Sequence, residues 1–252
     1  MSLKNIVKKS IAEIYFNAYK RYQREVGNRI ILYHSIGSKL THDTYGISIT
    51  KKEFSEHIKC LKQKYKIIAI DENYQNNLQE NTVSITLDDG YKDNLYALEL
   101  CEKNDIPFTL YISTGFIGQK QYLAKDEIQL FSKSNLCRLG AHSVTHPHLD
   151  TLSYDEQFNE LNDSKKELED IVGYKITEMS YPHGSYNDDT IKIIDKLGYN
   201  LISSSHIGLN TKKNLDLNRL KRIEIIGSDD LKQLERKILG YYDYLSLKDK
   251  FK

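Results

Sequence analysis

The chain has 252 residues, 39% hydrophobic and 28% charged, and its net charge of +1 excludes the basic excess expected of a nucleic-acid-binding protein. Its three cysteines (Cys60, Cys101 and Cys137) are widely spaced with no CxxC pair, which excludes a disulfide framework or zinc-ribbon pattern. There is no apolar run of membrane-spanning length and no signal-peptide pattern at the N-terminus, so we expect a cytoplasmic protein.

Residues 1–29 are expected to form a helical N-terminal extension. Apolar residues follow helical spacing from Leu3 to Tyr22, and the polar positions between and after them carry Lys4, Lys8, Lys9, Lys20, Arg21 and Arg24. The apolar stripe of such an amphipathic helix usually faces protein, either the domain that follows or a partner chain. The alternative is peripheral contact of residues 1–26 with the anionic inner surface of a membrane.

Residues 30–252 alternate predicted strands with predicted helices. The strands are expected at 30–33, 67–70, 83–87, 109–113, 137–141, 179–181, 201–204 and 223–226. The helices are expected at 51–64, 92–104, 126–133, 154–172, 187–197 and 228–240. This alternation implies a parallel sheet with right-handed crossovers. Seven or eight such units favour a single-domain α/β fold, an irregular (β/α)7-8 barrel, with an open doubly wound sheet as the alternative.

Two further patterns bear on ligand binding. The chain has neither a GxGxxG after a strand nor a Walker loop, so nucleotide binding is not expected. The long segment 35–50, which contains His42 and Tyr45, is expected to cover a substrate cavity, because loops of this length usually have a function.

Polar residues occur where four of the predicted strands end. His34 follows the first strand, Asp88 and Asp89 follow the third, His142 follows the fifth, and Pro182-His183 follows the sixth. In a barrel, active groups lie at the C-terminal ends of the strands. The four groups are therefore expected to meet at one end of the fold.

The residue types at these strand ends indicate metal-dependent hydrolysis. Adjacent strand residues point to opposite sides, so Asp88 and Asp89 do not form a packing pair. His142 and His146 are four residues apart and are expected on one face of a helical turn. One Asp and two His are the usual protein ligands of an open catalytic zinc site. The second Asp is then left free to act as a base.

Three segments resemble the motifs of a known family. Thr86-Leu87-Asp88-Asp89-Gly90-Tyr91 is similar to the first motif of the NodB-homology polysaccharide deacetylases, grouped with carbohydrate esterase family 4. His142-Ser143-Val144-Thr145-His146 resembles the second motif, and Ser180-Tyr181-Pro182-His183-Gly184 resembles a variant of the third. The resemblance covers roughly residues 30–240.

The resemblance implies an enzyme that removes acetyl groups from N-acetylated sugars. It implies that Asp89, His142 and His146 bind one divalent metal, expected to be Zn²⁺, and that Asp88 is the general base. It also implies that the backbone N–H of His183, directly after Pro182, helps to hold the oxyanion. Tyr91, which closes the first motif, and Pro182 are expected to support the site.

Two positions depart from the family pattern. Ser180 stands where the third motif usually carries an Arg, and the last strand, Arg222-Ile223-Glu224, has no Leu-x-His. A Leu-x-His is present instead on the first strand and ends at His34, an order that resembles the permuted subgroup acting on poly-N-acetylglucosamine. The first and last strands of a closed barrel are neighbours, so we predict that His34 is the general acid, with His206 as the alternative. Arg222 on the last strand is a candidate to contact Asp88 in place of the missing Arg, and the alternative is a surface or structural role for Arg222.

The expected function is therefore metal-dependent N-deacetylation of a polysaccharide or of a glycan intermediate, such as one of surface-glycan assembly. One alternative is a deformylase of a lipid-linked amino sugar, whose site would look the same. A carbohydrate-binding pseudoenzyme is the other, and it predicts the loss of a metal ligand or of the base. No GxSxG segment is present, so serine hydrolase chemistry is not expected.

Overall fold

A computed structural model describes residues 3–41 and 43–246, with side chains from residue 7 onward. The strands are β1 (Asn28–Tyr33), β2 (Lys66–Ile67), β3 (Thr82–Leu87), β4 (Phe108–Ile112), β5 (Cys137–Ala141), β6 (Glu178–Ser180), β7 (Leu201–Ser203) and β8 (Arg222–Glu224). The α-helices are α1 (Leu3–Ala18), α2 (Lys51–Lys64), α3 (Leu95–Asn104), α4 (Lys125–Lys133), α5 (Tyr154–Val172), α6 (Asp188–Leu197) and α7 (Leu231–Leu239). His42, expected in the loop over the cavity, lies outside the described residues.

The strands form a parallel sheet that is nearly closed into a barrel. Their order is β7-β6-β5-β4-β3-β1-β8, and β2 pairs with the first two residues of β3. The two edges meet through the segment before β8, where the Ser204 N–H donates to the Leu220 carbonyl at 2.9 Å and the Leu220 N–H donates to the Ile202 carbonyl at 2.8 Å. The predicted α/β barrel is confirmed, and β1 and β8 are neighbours although they lie near opposite ends of the chain.

The central strands are buried on both faces. Every residue of β1 and β3 is buried; β1 is mainly apolar, whereas β3 alternates apolar residues with Thr and Ser. Burial on both faces is typical of parallel strands covered by helices on one side and by the barrel interior on the other. The apolar residues of the two strands located them in the sequence to within about two residues.

The helices that carry start signals in the sequence also begin where they were predicted. Thr50 and Ser153 cap α2 and α5, and in both helices a glutamate three residues later completes a capping box. The helix predicted at 92–104 differs, because it starts as a 3₁₀ turn (Lys92–Asn94) before α3.

The strand predicted at 67–70 was wrong in its length. Only Lys66 and Ile67 pair with β3, and the chain then leaves the sheet. Ile68 and Ile70 pack with the barrel residue Ile30 in a small hydrophobic cluster. Their apolar side chains therefore contribute to the interior of the barrel without extending β2.

Helix α1 packs on the last strand by one face. Ala12 contacts Ile223 and Tyr242, and the ring of Phe16 stacks on Tyr241 with 3.7 Å between centroids. A second face stays in solvent, since Val7, Ile11 and Ile14 are 49%, 45% and 68% exposed. No helix in the described part of the chain is both long enough and apolar enough to cross a membrane.

Candidate metal centre

The four groups of polar residues meet at the C-terminal ends of the strands, as expected. They line one cavity of about 690 Å³, which Tyr45 and other residues of the 35–50 loop border on one side. The residues singled out in the sequence that line it are His34, Asp88, Asp89, Tyr91, His142, His146, His183 and Arg222.

Asp88 and Asp89 face the same cavity because the chain leaves strand geometry between them. β3 ends at Leu87, and Asp89 and Gly90 have φ angles of +77° and +79°. This left-handed turn suits a glycine and is uncommon for an aspartate. The alternation expected for adjacent strand residues therefore does not extend to Asp89.

The helical turn predicted for His142–His146 is wrong. The segment is a loop in which Ser143 and His146 adopt left-handed conformations with φ angles of +61° and +59°. The His146 N–H donates to the Ser143 hydroxyl at 3.1 Å, while the ring Nδ1 of His142 contacts the Ser180 carbonyl at 2.8 Å. That contact fixes His142 with Nδ1–H as the donor and leaves Nε2 facing the cavity.

Three side-chain atoms in the cavity have the spacing of metal ligands. The Nε2 atoms of His142 and His146 are 3.1 Å apart and lie 3.5 Å and 3.3 Å from Oδ1 of Asp89. Tetrahedral ligands with bonds of 2.0–2.1 Å would be separated by about 3.3–3.4 Å. Oδ1 of Asp89 is buried and has no hydrogen-bond partner. The three residues therefore fit a single divalent cation, which would satisfy that oxygen.

The electrostatics of the three residues also suit a cation. Burial alone would raise the pKa of Asp89, but His142, His34 and His146 outweigh it and hold that pKa well below its usual value. Burial, followed by the neighbouring His142, lowers the pKa of His146 to about 3. Burial would also lower the pKa of His142, yet Asp88 and Asp89 raise it. The centre therefore attracts positive charge, which is what metal binding requires.

Asp88 is held in place by Arg222. Nη1 and Nη2 of Arg222 donate to the two oxygens of Asp88 at 2.7 and 2.8 Å, and both side chains are at least 97% buried. The Ser180 hydroxyl accepts from Arg222 at 2.7 Å and donates to Asp88 at 3.1 Å. Burial would raise the pKa of Asp88, but the charge of Arg222, assisted by His142, lowers it. Of the two alternatives for Arg222, the structure therefore shows the contact with Asp88, and the guanidinium favours the ionised form of that carboxyl.

His34 enters the same cavity from the end of β1. Its backbone carbonyl accepts from the Asn94 side chain at 2.8 Å, and its ring Nδ1 lies 3.7 Å from the carboxylate of Glu224 on β8. The other candidate acid, His206, is not among the described residues that line the cavity, and its Nε2 contacts the Tyr186 hydroxyl at 2.8 Å. Glu224 was not predicted as a site residue, although its alternation with Arg222 along β8 could have indicated it.

His183 and Tyr91 form part of the wall of the cavity, whereas Pro182 is not among the described residues that line it. His183 has a φ angle of +56°, and its ring lies between those of His146 and His148, with centroids 4.3 and 4.1 Å away. Tyr91 lies beside Asp89 and stacks on Tyr122, with ring centroids 5.0 Å apart. Phe116 also stacks on Tyr122, with ring centroids 4.8 Å apart, and extends this aromatic wall.

Comparisons with known proteins agree with this architecture. YxkH of Bacillus subtilis (strain 168), which carries the name of a polysaccharide deacetylase, is 30% identical over 179 residues, 68% of this chain and 62% of YxkH. The peptidoglycan-N-acetylmuramic acid deacetylase PdaC of the same organism is 26% identical over 187 residues, 73% of this chain and 38% of PdaC. The chain thus spans less than two thirds of either curated relative.

A solved structure shows the same fold. The deacetylase PplD of Streptococcus pyogenes, determined in complex with acetate, superposes with a TM-score of 0.74 at 24% identity. The match covers 85% of this chain and 99% of PplD. The sequence profile described as Polysaccharide deacetylase matches residues 75–202, just over half of the chain. This chain belongs to the polysaccharide deacetylase family.

Proposed function

We propose that this protein is a metal-dependent hydrolase that removes the N-acetyl group from an N-acetylated sugar in a polysaccharide or glycan intermediate. The observation that carries the proposal is the Asp89–His142–His146 triangle beside an ionised Asp88 that takes no part in it. The names of YxkH, PdaC and PplD support the same reaction class. A pseudoenzyme is disfavoured, since it would be expected to lack a ligand or the base.

In the proposed reaction, each residue of the site has a separate role. Asp89, His142 and His146 would hold the cation, proposed to be Zn²⁺, which when bound polarises the substrate carbonyl and lowers the pKa of water. Asp88 accepts the proton of the attacking water, and Arg222 keeps its carboxylate ionised and oriented. His34 protonates the leaving amine, since an amine anion is too poor a leaving group to depart unaided. The backbone N–H of His183 donates to the oxyanion.

The test combines metal analysis with product analysis. Purified protein should contain about one Zn²⁺ per chain and release acetate from at least one member of a panel of N-acetylated oligosaccharides. N-formylated counterparts of the same sugars are assayed in parallel, so that release of formate alone would identify a deformylase. A chain with stoichiometric metal that hydrolyses neither series would refute the proposal.

We further propose that the protein is cytoplasmic and contacts the inner membrane surface through α1. Val7, Ile11 and Ile14 form an exposed apolar stripe, and Arg21 and Arg24 are exposed just beyond the helix. Apolar residues combined with basic ones are the features that bind anionic lipid surfaces.

Co-sedimentation with lipid vesicles tests this contact. Binding should occur with vesicles rich in phosphatidylglycerol and should fall in vesicles of phosphatidylcholine alone. Ile14→Ser should weaken it, while Leu130→Ser, which alters a 50% exposed leucine on α4, serves as the matched control. Equal binding of both variants would argue against α1 as the contact.

A further inference from the structure

The loop between the two metal-binding histidines is attached to α5 through one side chain. The carboxylate of Glu160 accepts from the N–H of Val144 at 2.9 Å and from the N–H of Thr145 at 2.8 Å. Its other oxygen accepts from the hydroxyl of Thr145 at 2.7 Å. Three hydrogen bonds thus join the N-terminal half of α5 to the middle of the His142–His146 loop.

This loop needs external support because its conformation is unfavourable. Ser143 and His146 are non-glycine residues with positive φ angles, and such conformations persist only where surrounding contacts enforce them. The opposite side of the loop is held by backbone donors, since the N–H groups of Thr114 and Gly115 donate to the Ser143 and Val144 carbonyls at 3.1 and 2.9 Å. Glu160 supports the loop by accepting hydrogen bonds from the N–H groups of Val144 and Thr145.

The segment between β4 and α4 supports the loop through its backbone and not through a side chain. A Cβ atom at Gly115 would lie 2.7 Å from the Val144 carbonyl oxygen, so the two backbones are in direct contact there. The Glu160 contact is made by a side chain and can be removed without moving the backbone of α5. It is therefore the part of the support that a substitution can test.

We propose that Glu160 is a positioning residue that fixes His142 and His146 in their metal-binding arrangement. The inference rests on the proposed function, because it assumes that the two imidazoles share a cation. Without Glu160, the N–H groups of Val144 and Thr145 lose a charged acceptor and the loop is free to relax from its two left-handed conformations. The 3.1 Å spacing of the imidazole Nε2 atoms would then no longer be preset. Loss of such outer contacts typically weakens metal binding about 10–100-fold.

The experiment measures Zn²⁺ affinity directly, by competition between the metal-free protein and a chromophoric chelator. Glu160→Ala should raise the dissociation constant about 10–100-fold. Glu160→Gln should have a smaller effect, because its carbonyl oxygen can still accept from both N–H groups. Thr145→Val removes only the hydroxyl contact and should also have a small effect on the dissociation constant. Thr145→Ser keeps the hydroxyl and should have the affinity of the wild type.

The matched control is Glu167→Ala on the same helix. Glu167 pairs with Lys125 at 3.3 Å, away from the histidine loop, so its removal should leave the affinity unchanged. A dissociation constant for Glu160→Ala within about twofold of the wild type would overturn the proposal. If Glu160→Ala does not fold, an affinity for Glu160→Gln equal to that of the wild type, together with no effect of Thr145→Val, would overturn it as well.

Hydrogen exchange of the metal-free protein separates this proposal from the proposed function. Faster exchange at Val144 and Thr145 in Glu160→Ala, with the rest of α5 unchanged, supports the attachment of the loop. Unchanged exchange at both residues contradicts it. Failure of the wild type to bind Zn²⁺ would instead refute the proposed function, whatever the exchange rates show.

Discussion

Arg222 forms a bidentate ion pair with Asp88, at 2.7 and 2.8 Å, from the strand on the far side of β1. The strand order β3-β1-β8 places their strands two positions apart. Ser180, which stands where the family usually carries an Arg, contacts both partners of the pair. A small residue at position 180 thus leaves room for a guanidinium that arrives from β8.

The first prediction is that Arg222→Lys lowers turnover about 10–100-fold while metal content is retained. A lysine keeps the charge but cannot make the two parallel hydrogen bonds, and a hydrogen bond to a charged group contributes about 1.5–3 kcal/mol. Arg222 lowers the pKa of Asp88, so its weaker replacement lets that pKa rise, and the acidic limb of the pH–rate profile should move to higher pH.

A second-site variant provides the control for Arg222. Ser180→Arg in an Arg222→Ala background restores a guanidinium beside Asp88 from the position usual in the family. Partial recovery of turnover is expected. No recovery, in a protein that folds and binds metal, would mean that Arg222 acts by something other than its charge next to the base.

The second prediction separates the two aspartates. Asp88→Asn should keep the metal and lose about 10²–10⁴ in turnover, because it removes the proton acceptor. Asp89→Asn should weaken metal binding itself, because it replaces an anionic ligand whose Oδ1 has no other partner. Metal analysis and initial rates on both variants decide the matter, and equal metal loss in the two would reverse the assignment.

The sequence predicted the eight strands and the residues at their ends, because buried parallel strands and capped helices leave local patterns. It did not predict the backbone at Asp89, Ser143 and His146, where positive φ angles are enforced by contacts with distant elements. Glu160 could not be found for the same reason, since its partners are in the loop before α5 and lie about fifteen residues away. The sequence could indicate Arg222 as a candidate partner of Asp88, because barrel closure makes β1 and β8 neighbours.

The third prediction concerns His34. His34→Ala should lower hydrolysis of N-acetyl sugars and spare metal content. It should have little effect on 4-nitrophenyl acetate, whose leaving group departs without protonation. This difference separates an acid from a residue that merely supports the fold. Equal loss on both substrates would reject the assignment, and His206→Ala would be examined by the same pair of assays.

The fourth prediction concerns Asp43 in the loop beside the cavity. Its carboxylate accepts from the N–H groups of Tyr45 and Gly46 at 2.9 and 2.6 Å. Burial opposes the shift, but the backbone hydrogen bond from Ile47, followed by those from Gly46 and Tyr45, lowers the pKa of Asp43. Asp43→Ala should loosen the Tyr45 segment, raise KM for the sugar more than it lowers kcat, and leave Zn²⁺ affinity unchanged. A changed Zn²⁺ affinity would show that the loop supports the metal centre and not the substrate.

The last prediction concerns His57 on α2, which is 1% exposed and whose Nδ1 lies 3.2 Å from the Tyr33 hydroxyl. Burial lowers the pKa of His57 below its ordinary value of about 6.5, although nearby Asp229 and Glu53 oppose the shift. The folded protein therefore keeps this ring neutral, while the unfolded chain takes up a proton as the pH falls below about 6.5. Stability from this residue is complete above that pH and is lost as the pH falls toward the folded-state pKa, by at most about 1.4 kcal/mol per pH unit.

Urea unfolding between pH 8 and pH 5 measures this loss. The free energy of unfolding should fall less steeply with pH for His57→Gln than for the wild type, because other histidines titrate equally in both. Parallel curves for the two proteins would show that His57 is not held neutral by the fold.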